Sequence, residues 1–192
     1  MSKRILSEIW IYPIKSLGGI RLPASRVAKK GLLYDRRLML VNEKNEFLTQ
    51  RAFPGMALFK MRLDNNGFRI THDGDSILLP FSLPSEAQTL NAQIWKDQVE
   101  VVDMGIFFNE WFSKKLGFSC KLVGFPEINP RPVDQSTKDQ VSLADGFPII
   151  IIGRASLDDL NARLETPARP LLRGVVRGQG QRHAAMKGLP LE

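Results

Sequence analysis

The sequence YPIKS at residues 12–16 follows an apolar, strand-like run from Ile5 to Ile11. YDRR at residues 34–37 leads into a second apolar run, Leu38 to Asn42. Both motifs therefore place cations where predicted strands begin or end. A lysine–serine pair and an arginine can present two fixed positive charges and a hydroxyl to one anion, because lysine binds as a point charge and arginine as a planar fork. The two motifs thus favour a ligand that carries phosphate.

The same cations also have a simpler interpretation. Lys15, Arg36 and Arg37 could be solvated charges at strand ends, since charged side chains mostly lie at the protein surface. Taken by themselves, the two motifs leave both interpretations open.

Together with later motifs, these segments resemble the MOSC family of molybdenum-cofactor proteins. YPIKS is similar to the family's opening signature, and DRRLMLV (residues 35–41) with FLTQR (residues 47–51) resembles its next two strands. ADGFPIIIIGRASLDDLNARL at residues 144–164 resembles the entry to the MOSC domain proper. The order and spacing of the motifs carry the resemblance, which covers residues from about Ile5 to Glu165.

The resemblance implies a set of site residues. In the family, the lysine and serine of the first signature and the arginine of the Asp-Arg pair bind the phosphate side of the pterin cofactor. It therefore implies that role for Lys15, Ser16 and Arg36, and Asp145 falls where the family has an acidic residue in contact with the cofactor. The implied cofactor is the molybdenum cofactor, molybdopterin with its metal. Pyridoxal phosphate is not expected.

Composition agrees with an enzyme-like domain in a reducing compartment. The 192 residues are 43% hydrophobic, which is enough for one substantial core or one domain plus a fragment. Cys120 is the single cysteine, so no disulfide can form within the chain, and a cytoplasmic location is expected. No signal peptide is predicted at the N-terminus, and no apolar run reaches the roughly 20 residues that a membrane span requires.

The formal net charge of +7 raises the question of an anionic partner. More than half of the excess lies in residues 166–192, where no aromatic residue is interleaved with the cations as a single-strand stacking platform would require. Arginines at four-residue steps (Arg169, Arg173 and Arg177) could form a basic helix for nucleic acid, but the nearby glycines each cost about 1 kcal/mol in a helix. No nucleic-acid partner and no membrane partner are therefore predicted.

Residues up to about 102 read mainly as short strands separated by turns. Asn65-Asn66-Gly67 and Asp73-Gly74-Asp75 are typical hairpin turns. Regularly spaced short strands predict an antiparallel, barrel-like sheet, and the MOSC resemblance implies a β-barrel in the same place. The predicted strands are Ile5–Ile11, Leu38–Asn42, Leu58–Leu63, Phe68–His72, Ser76–Leu79, Gln93–Trp95 and Val99–Val102.

Beyond residue 102 the period changes. Asp103 can cap a helix whose apolar residues face the core and which ends at Gly117. Residues 125–140 are proline-rich and predict a connecting loop. The run 147–152 predicts a strand buried on both faces. A capping box of Ser156 and Asp159 then predicts a helix through Leu164.

Other chemically capable residues have simple explanations. Cys120 lies in a predicted strand, Ser119 to Gly124, and is expected to be an inert core residue. The family binds molybdenum through a cysteine thiolate well downstream of the ASLDDLN helix, so Cys120 does not correspond to that ligand. His72 and His183 lie near no nucleophile motif. No metal-ligating residue is therefore predicted.

After Glu165 the resemblance fails. The family continues with a cofactor-binding Asn-Arg-Phe-Arg-Pro-Asn segment and the metal-binding cysteine, whereas this chain continues with a glycine- and arginine-rich stretch. Truncation or a change of reading frame would explain this departure, and Leu191-Glu192 resembles a cloning scar. Residues 166–192 are expected to be disordered.

The sequence thus predicts a mixed α/β, β-rich protein. A MOSC-type N-terminal β-barrel would span residues 1–124, a linker and the start of an incomplete MOSC domain would span 125–165, and a basic tail would follow. The resemblance implies a molybdenum-cofactor protein whose intact form reduces N-hydroxylated small molecules, with a redox partner protein as electron donor. This chain is expected to bind the cofactor weakly and to lack reductase activity. A non-catalytic module that binds pterin cofactor or a sulfur-transfer partner is the alternative, and an interaction barrel without cofactor is a third possibility.

Overall fold

A computed structural model describes residues 5–133, 136–164 and 175–178. In these residues short strands predominate, with two α-helices, α1 (Ile106–Leu116) and α2 (Arg154–Ala162), and a 3-10 helix at Pro54–Leu58. The prediction of a mixed, β-rich fold is confirmed. The strands are β1 (Leu6–Ile11), β2 (Ile20–Leu22), β3 (Val27–Ala28), β4 (Gly31–Leu32), β5 (Leu38–Val41), β6 (Lys60–Asp64), β7 (Gly67–His72), β8 (Asp75–Pro80), β9 (Thr89–Ile94), β10 (Asp97–Asp103), β11 (Lys121–Gly124), β12 (Pro132–Val133), β13 (Ser136–Gln140), β14 (Ile150–Gly153) and β15 (Val175–Gly178).

The strands pair in three main sheets. One has the order β5-β11-β10-β9, the second is the meander β6-β7-β8, and the third has the order β14-β15-β1-β2. Within the described strands the pairing is antiparallel, as predicted, except between β14 and β15, which run parallel. Two small two-stranded ribbons, β3-β4 and β12-β13, complete the set.

Both hairpin turns predicted from sequence are confirmed. His72 pairs with Asp75 across the β7–β8 turn, and the two loop residues between them, Asp73 and Gly74, have φ angles of 46° and 74°. Positive φ at both positions is what a two-residue type I′ hairpin requires, and Asp-Gly is one of its preferred sequences. The β6–β7 hairpin is equally tight, because Asp64 pairs directly with Gly67.

Strand β5 is buried on both of its faces. Leu40 packs in a core cluster with Phe59, Phe68 and Phe112, whereas its neighbour Met39 packs in a second cluster on the other side of the strand. This alternation follows from the two-residue period of a strand. The second motif, YDRR, therefore enters a strand that is fixed from both sides.

Helix α1 begins at a different residue from the one predicted. Gly105 is its N-cap, and Asp103 is the last residue of β10 rather than the cap. The Asp103 carboxylate instead accepts the backbone N–H of Gly105 at 2.8 Å and the side-chain amide of Asn109 at 2.9 Å, so it still ties the strand to the helix start. The predicted end is confirmed, because Gly117 adopts the left-handed conformation typical of a helix terminus.

The apolar residues of α1 divide between core and surface. Phe112 is fully buried, as predicted, but Ile106 and Phe107 are 70% and 62% exposed. The prediction that the apolar residues of this helix face the core is therefore wrong for its first turn. That turn begins just after Gly105, which also has a positive φ, and the first two apolar side chains lie on the exposed side.

The later elements also differ from expectation. The predicted loop at 125–140 contains the ribbon β12-β13. The strand at 147–152 is shorter and less buried than predicted: Phe147 lies outside β14 and is 71% exposed, and Ile150 is 40% exposed in β14, which is the edge strand of its sheet. Helix α2 has Gly153 as its N-cap, so the capping box of Ser156 and Asp159 is wrong.

Strand β15 lies within the stretch that was expected to be irregular. It pairs with β1 on one side and with β14 on the other. The remaining residues of 166–192 lie outside the described part of the chain, so that expectation stays a prediction for them. Among the described residues, neither helix has the length and apolarity needed to span a membrane.

Candidate functional site

The two cation-bearing motifs lie side by side in backbone contact. The N–H of Lys15 donates to the carbonyl of Leu38 at 2.7 Å, and the N–H of Arg36 donates to the carbonyl of Tyr12 at 2.8 Å. The N–H of Leu38 also donates to the carbonyl of Pro13 at 3.0 Å. These bonds fix the YPIKS segment against the start of β5. Lys15 and Arg36 are therefore anchored to the same part of the molecule.

Two of the predicted site residues have strained backbones. Ser16 has a φ of 68° and Arg36 a φ of 51°, both in the left-handed region. For residues with a side chain this conformation costs roughly 1–2 kcal/mol. Such strain persists only where the surroundings impose it, and it is concentrated at ligand-binding and catalytic sites. Ser16 and Arg36 are two of the six described non-glycine residues with positive φ angles.

The Lys15 ammonium is buried and forms an ion pair inside the protein. Lys15 is 1% exposed, and its Nζ donates a hydrogen bond to the carboxylate of Asp145. The same Nζ lies 5.2 Å from the centre of the Phe47 ring. Because an isolated buried charge is strongly unfavourable, a counter-ion is required here, and Asp145 supplies it. The interpretation of Lys15 as a solvated strand-end charge is wrong.

The Ser16 hydroxyl is buried, and the described residues give it no hydrogen-bond partner. Its Oγ is inaccessible to solvent, and the residue as a whole is only 6% exposed. A buried hydroxyl that makes no hydrogen bond costs about 1–3 kcal/mol, so each such group calls for an explanation. A ligand atom that accepts or donates a hydrogen bond at Ser16 would provide one.

Asp35 holds Arg36 and the first motif together. Its Oδ2 accepts the Arg36 Nε–H at 2.6 Å, and its Oδ1 accepts the backbone N–H of Tyr12 at 2.7 Å. Burial raises the pKa of Asp35 above its usual range, although the Arg36 guanidinium opposes the shift. Arg36 is itself buried, so the second motif, like the first, carries an internal ion pair rather than a solvated charge.

A third segment, residues 142–148, joins the two motifs. Arg36 donates through Nη2 to the carbonyl of Pro148 at 2.7 Å, and the N–H of Leu143 donates to the Arg36 carbonyl at 3.1 Å. Lys15 reaches Asp145 in the same segment. The structure therefore brings Lys15, Arg36 and Asp145 together around one short stretch of chain.

Arg37 has a different role from Arg36. Its guanidinium bonds Glu127 at 2.8 Å, the Ser142 hydroxyl at 2.9 Å and the carbonyl of Asp35 at 2.8 Å. These contacts fasten the start of the 125–140 segment to the second motif. Arg37 thus has a structural role, because its guanidinium forms hydrogen bonds mainly with other groups of the protein.

Two residues at this site were missed by sequence reasoning. The Trp95 indole N–H donates to Asp145 Oδ1 at 3.0 Å, and the Arg51 guanidinium lies 5.6 Å from the centre of the Trp95 ring. The Trp95 ring also meets Phe47 edge to face, with centroids 5.0 Å apart. One signal was available: FLTQR, which contains both Phe47 and Arg51, was already recognised as a motif.

The remaining candidates lie elsewhere. Cys120 is buried, its Sγ lies 3.7 Å from the Ser113 hydroxyl, and burial raises the pKa of its thiol. His72 is buried against Phe59, with Nδ1 3.2 Å from Asp73, and His183 lies outside the described residues. In the described part of the chain, no group of His, Cys, Asp and Glu side chains is arranged to hold a metal ion.

Comparisons with known proteins agree with the motifs. A family model described as the MOSC N-terminal beta barrel domain matches residues 3–119. The mitochondrial amidoxime-reducing component 1 of Mus musculus is 31% identical over 172 residues, which cover 83% of this chain and 51% of the relative. The mitochondrial amidoxime reducing component 2 of Homo sapiens is 31% identical over 176 residues, with coverages of 83% and 51%.

A relative with a different name is also similar. The molybdenum cofactor sulfurase of Drosophila grimshawi is 27% identical over 163 residues, which cover 81% of this chain and 21% of that protein. This chain spans about half the length of the two amidoxime-reducing relatives described above. The similarity therefore reaches past the matched domain but does not extend over the whole of any of these three proteins.

Proposed function

The chain belongs to the MOSC N-terminal beta barrel domain family, and from this premise we propose that it binds the phosphate side of the molybdenum cofactor through Lys15, Ser16 and Arg36. The names of its relatives include amidoxime-reducing components and a molybdenum cofactor sulfurase. The single observation that carries the proposal is the buried Ser16 hydroxyl, which has no partner among the described residues and follows directly on the buried Lys15.

These residues suit a phosphate group chemically. The Lys15 ammonium supplies a point charge, and the Ser16 hydroxyl supplies a hydrogen-bond donor that the described protein leaves unused. The surrounding contacts hold Ser16 and Arg36 at strained φ angles, so both residues are in fixed positions before a ligand arrives. Because Ser16 and Arg36 need little reorganisation, the cost of positioning them around a bound phosphate is low.

Arg36 contributes mainly through orientation. Its Nε is committed to Asp35 and its Nη2 to the Pro148 carbonyl, so the plane of the guanidinium is fixed. Arg36 and its partner Asp35 are both buried. A phosphate beside Arg36 would thus meet a cation in a low-dielectric setting, where electrostatic attraction is strong.

Asp145 is proposed as a cofactor-contacting residue of the same site. In the structure it is the counter-ion of Lys15, and its side chain is 32% accessible, so it lies at the border between the buried pair and solvent. A ligand that approaches Lys15 from this border meets Asp145 first.

When bound, the molybdenum cofactor supplies oxygen-atom transfer or N-reduction chemistry at its metal. The residues described above would bind and orient its phosphate side, and the metal is assigned to none of them. We propose an oxidoreductase acting on N-hydroxylated small molecules, with a redox partner protein as electron donor, for a form that also carries a metal ligand. The second candidate, a module that holds the cofactor or a sulfur-transfer partner without turnover, is favoured by the burial of Cys120, which removes the single thiol from ligation.

Location is a separate proposal. A single cysteine suits a reducing compartment such as the cytoplasm, whereas the two amidoxime-reducing relatives carry the word mitochondrial in their names. Fractionation of the source cells, with antibody detection of this chain, would test the cytoplasmic proposal.

The cofactor proposal is tested by comparing two buried lysines. Lys15→Met removes the proposed anchor, and Lys30→Met is the matched control, because Lys30 is 3% exposed, bonds the Glu127 carbonyl and lies 5.5 Å from the Phe125 ring. Each variant is purified from a host that makes the cofactor, and bound pterin is measured by fluorescence after release. We expect Lys15→Met to lose pterin while Lys30→Met retains it. Equal retention by folded variants would refute the proposal.

A further inference from the structure

Trp95 occupies a backbone position that normally belongs to glycine. It is the first of the two loop residues between β9 and β10, since Ile94 pairs with Asp97 across the turn. Its φ is 55°, whereas Lys96 is not among the described residues with positive φ. In two-residue hairpins with this pattern the first loop residue is usually glycine. A tryptophan held there, with 48% of its surface exposed, indicates that its side chain makes an interaction worth the strain.

The interaction that Trp95 makes is with the counter-ion of Lys15. Its indole N–H and the Lys15 ammonium both donate to the same oxygen, Oδ1 of Asp145. Phe47 packs against both partners: its ring meets the Trp95 indole edge to face and lies beside the Lys15 Nζ. The β9–β10 turn is therefore connected to the Lys15 site through the side chains of Trp95 and Phe47.

We propose that Trp95 is a positioning residue of this site and that its indole holds the Asp145 carboxylate on the Lys15 ammonium. Asp145 then serves as an internal counter-ion, and an arriving phosphate replaces it. Replacement follows from charge: a carboxylate and a phosphate on one ammonium repel each other at close range. This inference rests on the proposed function. It makes the Asp145 carboxylate a competitor of the cofactor phosphate for the Lys15 ammonium.

Trp111 offers a matched control for Trp95. Its indole N–H also donates to a carboxylate, Asp75, at 3.0 Å, and the Lys115 ammonium lies 5.8 Å from its ring. Trp95→Phe and Trp111→Phe therefore make the same chemical change, loss of one indole N–H beside an acid and a cation. The two variants differ in whether the acid neutralises Lys15.

The first measurement is the acetylation rate of Lys15 in the folded protein, read by mass spectrometry with buried Lys30 as internal reference. Trp95→Phe is expected to raise the Lys15 rate about tenfold, because one hydrogen bond to a charged group no longer holds its counter-ion. Trp111→Phe is expected to leave the ratio of Lys15 to Lys30 unchanged. Equal ratios in both variants would overturn the proposal.

The second measurement is calorimetric titration with inorganic phosphate. Trp95→Phe and Asp145→Asn should each bind phosphate more tightly than the unaltered chain, and Trp95→Phe should add nothing once Asp145→Asn is present, because both act through one carboxylate. Weaker phosphate binding by Asp145→Asn would overturn the proposal that Asp145 is an internal counter-ion that phosphate replaces. If no form binds phosphate or pterin while Lys15 acetylation still depends on Trp95, the proposed function fails and the positioning of Asp145 by Trp95 stands.

Discussion

The Asp35 carboxylate accepts the backbone N–H of Tyr12 at 2.7 Å, so that a side chain of the second motif fixes the backbone of the first. The other oxygen of the same carboxylate holds the Arg36 guanidinium. Asp35 is thus the point through which the orientation of Arg36 and the course of the YPIKS segment are linked. Its removal should affect both.

Asp35→Asn is expected to lower the free energy of unfolding by about 1–3 kcal/mol, the cost of leaving one buried hydrogen-bond donor without an acceptor. Asparagine can still accept the Tyr12 N–H through its oxygen, but its amide would place a donor against the Arg36 donor. Urea unfolding at neutral pH measures the change. Asp139→Asn, on an exposed side chain, is the control and should have little effect.

The difference in the free energy of unfolding between the unaltered chain and Asp35→Asn should depend on pH. Burial raises the pKa of Asp35, so the folded chain keeps a proton that the unfolded chain releases near pH ~3.9. The stabilisation linked to that proton is complete below this pH and is lost as the pH rises through the folded pKa. The stability advantage of the unaltered chain over Asp35→Asn should therefore narrow as the pH increases from acid. An advantage that widens over the same range would contradict the raised pKa.

A glycine after the first motif provides a test of the packing around it. A Cβ added at Gly18 would lie 2.3 Å from the carbonyl oxygen of Phe59, a backbone atom that cannot move aside easily. Gly18→Ala should therefore destabilise the fold by at least about 2 kcal/mol, as overpacking does. At Gly55 an added Cβ meets nothing within 4 Å, so Gly55→Ala should be close to neutral. Thermal unfolding of both variants distinguishes them, and equal melting temperatures would contradict the described packing.

Cys120 should be unreactive while the protein is folded. It is buried, and burial raises the pKa of its thiol, so little thiolate is available to an alkylating reagent. Iodoacetamide should modify it slowly in buffer and rapidly in urea. Cys120→Ala should also leave the molybdenum content unchanged. Loss of bound metal in that variant would show that Cys120 is a ligand and that the matching of this chain to the MOSC family is wrong.

Local patterns predicted the parts of the fold that local chemistry determines. The Asp73-Gly74 turn was predictable because those residues favour the positive φ angles that a tight hairpin needs. The start of α1 was not predictable, because Asp103 and Gly105 lie close together in the sequence and Asp103 belongs to strand β10 in the structure. The edge position of β14 could not be predicted from the sequence either, since an apolar run does not reveal which strands lie beside it.

The candidate site was predictable in its residues and not in its contacts. Lys15, Ser16 and Arg36 came from motifs close together in the chain, whereas their partners are distant. Asp145 is 130 residues from Lys15, and Trp95 is 50 residues from Asp145. Only folding brings such groups together, so the internal ion pair of Lys15 could not be predicted from spacing. The contact that fixes it, from Trp95, had no sequence signal of its own.

The most direct measurement is the molar ratio of bound pterin to protein in Ser16→Ala, purified from a cofactor-producing host beside the unaltered chain. The substitution removes one buried hydroxyl that has no partner among the described residues, so stability should be unchanged or slightly higher. If Ser16 binds the phosphate side of the cofactor, the pterin ratio should fall about tenfold at an undiminished melting temperature, the loss expected for one hydrogen bond to a charged group. An unchanged pterin ratio in Ser16→Ala would contradict the phosphate site.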